Sequence, residues 1–288
     1  MQKGYTMQSY KAQRYFFVYL WWALYLSLYI ITVFVQKLSL PCALLNVFLG
    51  IIVYFPYIAI GRSFRRKICM RELRFLDEII YLKEMNYYSR EEKWRKQRRP
   101  ASYIIQAQWF DGRFEEAYDT RKQFPERELI MGKEDFLIHG WNAFQGGDIG
   151  ELGRIIGRCP DSAEGQEAAY TQILKSWQAI LERNWDFEWK PCGTTGVLGL
   201  DIHNAYWAGF WYMASGNREK AVEQFLYVWT KGDKTQLAEK ARYALEGWGV
   251  ALPEQEAVPR KAFRWCVVRE TAIFVVTVSL SLILGSFL

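Results

Sequence analysis

The chain is poor in the residues from which catalytic and metal sites are most often built. It has two histidines, His139 and His203, and five cysteines, Cys42, Cys69, Cys159, Cys192 and Cys266. The cysteines are odd in number and none pairs as CxxC, so the sequence implies neither a disulfide framework nor a zinc site with the usual ligand spacing. No GK[ST] nucleotide loop is present. The sequence therefore predicts no catalytic residue, no metal and no cofactor, and the chain is read as a non-enzyme. Charge is also missing over three long stretches, and that absence carries most of the information.

Residues 15–36 contain 22 positions without a charge, enough at about 1.5 Å per helical residue to cross a hydrocarbon core of about 30 Å. Residues 42–61 are uncharged after a short break, and 271–288 form a third uncharged run. The first run is too long for a signal-peptide core and is followed by no small-residue cleavage site. These runs predict a transmembrane hairpin over 15–61, preceded by a short terminus over 1–14, and a third span over 271–288. No Asp, Glu, Lys, Arg or His lies within them. That argues against a transporter, channel or pump, whose pathways are normally marked by intramembrane ionisable groups.

Basic residues set the orientation. Lys3, Lys11 and Arg14 precede the first run, and Arg62, Arg65, Arg66, Lys67 and Arg71 follow the second, whereas only Lys37 lies between them. The positive-inside bias puts the amino terminus and the main domain in the cytoplasm and the carboxyl terminus on the opposite side. Residues 62–100 carry 13 basic and 6 acidic side chains and show apolar spacing of helical period. They predict a basic juxtamembrane helix ending at Pro100. Arg62, Arg65, Arg66, Lys67, Arg95, Lys96, Arg98 and Arg99 are its candidate lipid-headgroup contacts. The positive-inside bias accounts for this basic cluster without a nucleic-acid partner. Residues 101–259 reverse the balance, with 16 basic and 24 acidic residues.

Within 101–250 one segment stands out, AYWAGFWYMASGNREKAVEQFLYVW over 205–229. Gly209, Tyr212, Gly216, Ala221 and Phe225 have the relative spacing of the tetratricopeptide repeat signature, and the segment resembles such a repeat. Two weaker copies lie upstream, one with Gly112 and Ala117, the other with Gly140 and Gly147. Gly112 to Gly147 spans 35 positions and Gly147 to Gly216 spans 69, about one and two repeat lengths. Gln108, Arg121 and Leu152 depart from the signature. The segment 162–183 reads as a further helix, 235–248 as a capping helix with Thr235 at its N-cap, and 251–270 as a linker.

The resemblance implies an all-α, tetratricopeptide-like cytoplasmic repeat domain with a concave surface for a protein or peptide partner. Tyr206, Trp207 and Trp211, on the first helix of the strongest copy, are the candidate partner contacts. An acidic body favours a basic partner through steering and specificity. Membrane lipids are the other expected partner. The expected function is a membrane-anchored scaffold or adaptor. Two rival readings are a membrane enzyme or enzyme subunit using the loop at Cys192, where Gly193, Thr194, Thr195 and Gly196 form a potential anion cradle, and a lipid-binding structural protein.

Overall fold

A computed structural model describes residues 98–124, 132, 134–159, 165–190 and 195–258, most of 69–82, and isolated positions elsewhere. The chain divides into two compact units, Met1–Ile68 with Arg260–Leu288, and Cys69–Pro259. Among the described residues no helix is long and apolar enough to cross a membrane. The runs read as spans lie almost wholly outside those residues. So do Arg62, Arg65, Arg66, Lys67, Arg95 and Lys96, and the side chains of Arg98 and Arg99.

The second unit begins with two short helical pieces over 69–82, separated at Leu73, whose φ of 52° is left-handed. Phe75, Ile79 and Leu82 recur at helical spacing and are buried. The Phe75 ring lies 6.4 Å from Phe110, and a Cβ added at Gly199 would come within 2.8 Å of the Met70 carbonyl oxygen. This stretch is therefore part of the body. It corrects the expectation of one uninterrupted basic helix over 62–100, because an apolar stripe at 75, 79 and 82 demands a core to bury it. Pro100 does not end a helix either. It lies in the first turn of the next one, where a missing N–H costs nothing.

Among the described residues eight helices follow: α1 (Arg98–Asp111), α2 (Phe114–Lys122), α3 (Glu134–Gln145), α4 (Ile149–Arg158), α5 (Gly165–Glu182), α6 (Leu198–Ala214), α7 (Arg218–Lys231) and α8 (Gln236–Gly247). The described residues of this unit contain no strand, so the all-α expectation holds. Gly112, Gly147 and Gly216 sit between α1 and α2, α3 and α4, and α6 and α7, with φ of 95°, 67° and 79°. An L side chain rarely adopts that conformation, so each hairpin turns where its glycine allows it. The side chains of Asp148, Asn217 and Thr235 cap α4, α7 and α8 by accepting from Glu151, Lys220 and Ala238 N–H.

The helices do not splay into an open stack. Besides its sequence neighbours, α8 packs on α1 and α6, and α1 packs on α6. A Cβ at Gly112 would meet Leu237 of α8 at 2.8 Å, and the Lys240 ammonium lies 4.4 Å above the Phe114 ring. Beyond α8, residues 251–258 form no free linker but an extended strap along α7. Arg218 at the start of α7 donates to the Trp248 carbonyl (2.6 Å), and Glu256 N–H reaches the Thr230 carbonyl near its end (2.9 Å). The Trp229 indole donates to Pro253 O at 2.8 Å, and the Gln255 amide donates to Trp229 O and Asp233 O at 3.2 and 3.0 Å. A Lys231–Glu256 ion pair completes the contact. The strap thereby satisfies carbonyls that the end of α7 leaves without helical partners.

Candidate functional site

The aromatic residues of α6 lie inside the body. Trp207 is 1% exposed; its ring meets Trp177 of α5 edge-on at 4.8 Å, Phe114 of α2 at 5.0 Å and Trp141 of α3 at 5.3 Å. Trp109 of α1 stacks at 6.3 Å. Tyr206 packs on Phe114 and Phe225 at 6.0 and 5.9 Å. Burial, with a smaller contribution from Glu115, pushes its phenol pKa well up. Trp211 is 2% exposed beneath Trp185 at 6.0 Å and Phe187 at 5.0 Å, both from the loop after α5. The assignment of Tyr206, Trp207 and Trp211 to a partner groove is thus corrected. With α1, α3, α5 and α6 converging on one centre, large rings at these positions are worth more as core than as surface.

The residues read as packing positions divide cleanly. Gly209 lets α7 approach α6, for a Cβ there would lie 2.8 Å from the Phe225 ring. A Cβ at Gly140 would run into Leu174 and approach Trp177 and Leu152. Ala117, Ala221 and Phe225 are buried. Tyr212 is half-buried, with Lys220 Nζ 5.3 Å from its ring centroid, and Gly147 and Gly216 are exposed with nothing within 4 Å of an added Cβ, so these two serve the turns and not the packing. The departures from the repeat signature are buried too. Leu152 is fully enclosed, Gln108 extends its amide toward Glu116 at 3.5 Å, and Arg121 donates to Asp135 Oδ1 at 2.9 Å and to Phe124 O at 3.0 Å. Arg121 thus ties α2 to α3 where the signature carries an aromatic.

The two histidines sit in opposite surroundings. His139 does not pack as a core residue; its side chain is 35% exposed, with Nε2 3.6 Å from Asp135 Oδ1. His203 is the buried one. Its Nε2 accepts from the Trp207 indole N–H at 3.0 Å, so its proton is assigned to Nδ1. Burial holds its pKa down to about 3 against the weaker opposing effect of the Asn204 side chain. A ring neutral at physiological pH and walled off by Phe110 and Trp109, at 5.0 and 6.1 Å, supports packing better than proton transfer.

Of the loop read as an anion cradle, the described Thr195 is engaged from within. Thr195 N–H and Oγ1–H both donate to Asp201 Oδ1, at 2.7 and 2.8 Å, and Val197 N–H donates to Thr195 Oγ1 at 3.2 Å. A carboxylate in the first turn of α6 thus engages both Thr195 donors. Cys192, Gly193 and Thr194 lie outside the described residues. Cys159 is buried with Sγ 3.7 Å from Thr171 Oγ1. Among the described residues no group of three His, Cys, Asp or Glu is placed to hold a metal ion.

The large side chains left exposed lie on the outside. Trp185 is 48% and Tyr243 64% exposed, and Arg242 lies 4.6 Å over the Tyr243 ring. Sequence reasoning passed over Trp185 because it stands in a loop without periodicity; its signal was the aromatic cluster Trp185, Phe187 and Trp189 in an otherwise polar turn. No protein-family model, no curated protein and no solved structure matches the chain.

Proposed function

We propose that the chain is a membrane-anchored scaffold whose tetratricopeptide-like helical body stands on the cytoplasmic side and presents its outer surface to a protein partner. The observation that carries the anchoring is a stripe on the first uncharged run. Tyr19, Ala23, Leu26, Ser27 and Ile30 are helical and exposed, and the spacing of Tyr19, Ala23, Leu26 and Ile30 places these four on one face. A face with three large apolar or aromatic side chains exposed suits a lipid surface, not water. Basic residues on either side of the first two runs support the orientation.

The scaffold reading draws on the three glycine-turned hairpins and on the sealed aromatic core that joins them. With the inner faces used for packing, the partner meets exposed positions such as Trp185 and Tyr243. The acidic excess over 101–259 steers a basic partner toward them. The test uses the full-length chain in its native membranes, with a photo-crosslinking amino acid in place of Trp185 or Tyr243. A discrete adduct with one protein at either position is expected. A chain that alkaline carbonate extracts from the membrane and that yields no adduct at either position would overturn the proposal.

A further inference from the structure

We propose that the outer face of the segment 75–82, carried by Leu76 and Ile80, rests in the headgroup layer of an anionic bilayer, an inference that builds on the membrane-anchored reading. Leu76 is 49% and Ile80 48% exposed, and four residues apart they share one face of the helix. Their exposure is imposed by the fold. Phe75, Ile79 and Leu82, about 100° away round the helix, are locked into the body, so the helix cannot turn Leu76 and Ile80 inward without exposing them. The left-handed turn at Leu73 breaks the helix just before this segment, so its direction is set by its packing on the body and not by the chain that precedes it.

Charge selects the occupant. From Arg62 through Arg71 the sequence contains five basic residues and no acid, and Arg71 is exposed. The two acids of the stretch whose side chains are described, Glu72 and Glu78, are buried away from the outer face. A short apolar stripe directly after a basic run is the pattern of an interfacial helix, in which apolar side chains enter the acyl boundary while basic groups meet anionic headgroups. The uncharged run over 42–61 ends one residue before Arg62, so the segment follows a predicted span by a short length of chain.

The experiment uses the full-length chain reconstituted into phosphatidylcholine vesicles with a minority of phosphatidylglycerol and a nitroxide-bearing lipid. An environment-sensitive fluorescent amino acid replaces Leu76, Ile80 or, as the control, Tyr243. The proposal predicts that the chain floats with the vesicles, that the probe at 76 and at 80 is quenched severalfold more than at 243, and that this difference shrinks when phosphatidylglycerol is omitted. A chain that floats with equal quenching at all three positions would overturn the interfacial face and leave the anchor standing. A chain that does not float would overturn both.

Discussion

At the residue scale the most informative side chain is His203. The unfolded chain takes up a proton on this ring near pH 6.5, whereas the folded chain resists it until about pH 3, so between those values the unfolded state binds more protons. Stability therefore falls as the pH is lowered from about 6.5 toward about 3, with this group contributing to the loss. Denaturant unfolding of wild type and His203→Gln, compared across that range, is expected to show a steeper loss in wild type, since the glutamine amide keeps an acceptor for Trp207 but does not titrate. Parallel pH dependences would remove His203 from the account. Gly209 makes a second test. Alanine is the better helix former by about 1 kcal/mol, but its Cβ would press on the enclosed Phe225 ring, and overpacking costs about 1–3 kcal/mol. Gly209→Ala is expected to lower the denaturant midpoint. The glycines were legible in the sequence because a turn that demands positive φ leaves a mark on residue choice. The fate of Trp207 was not, since one tryptophan suits a groove and a core equally well until the neighbouring helices are placed.

At the element scale the caps and hairpins follow from local chemistry, and their boundaries could be read closely. The predicted helix over 235–248 is observed as Gln236–Gly247, capped by Thr235. Thr235→Ala is expected to cost about 1 kcal/mol, since it removes the oxygen that accepts from Ala238 N–H. The strap over 251–258 was not legible. Its docking rests on backbone carbonyls and a few polar side chains, none of which leaves a periodic signature, and its Pro and Glu content matches a free linker. Amide hydrogen exchange tests it directly. Glu256 N–H, bonded to Thr230 O, is expected to be protected, and Gln255→Ala is expected to speed its exchange by loosening the end of the strap. The break at Leu73 was not legible for another reason: a leucine within a helical pattern gives no sign of a left-handed φ.

At the scale of the whole molecule, repeats of a fixed period suggest an open stack with a concave face, and the sequence contains nothing to say that the ends meet. Closure depends on contacts between residues far apart in the chain, such as Gly112 with Leu237 and Trp109 with Trp207. It buries the inner faces of the helices, so on the proposed reading a partner would meet the outer surface. The measurement that tests this most directly is a double-mutant cycle on the full-length chain with Phe114→Leu and Trp207→Phe, whose rings are 5.0 Å apart across α2 and α6. A sealed core predicts that the two changes couple by about 0.5–3 kcal/mol in unfolding free energy, whereas additivity within about 0.5 kcal/mol would mean that the first hairpin and α6 do not share a core.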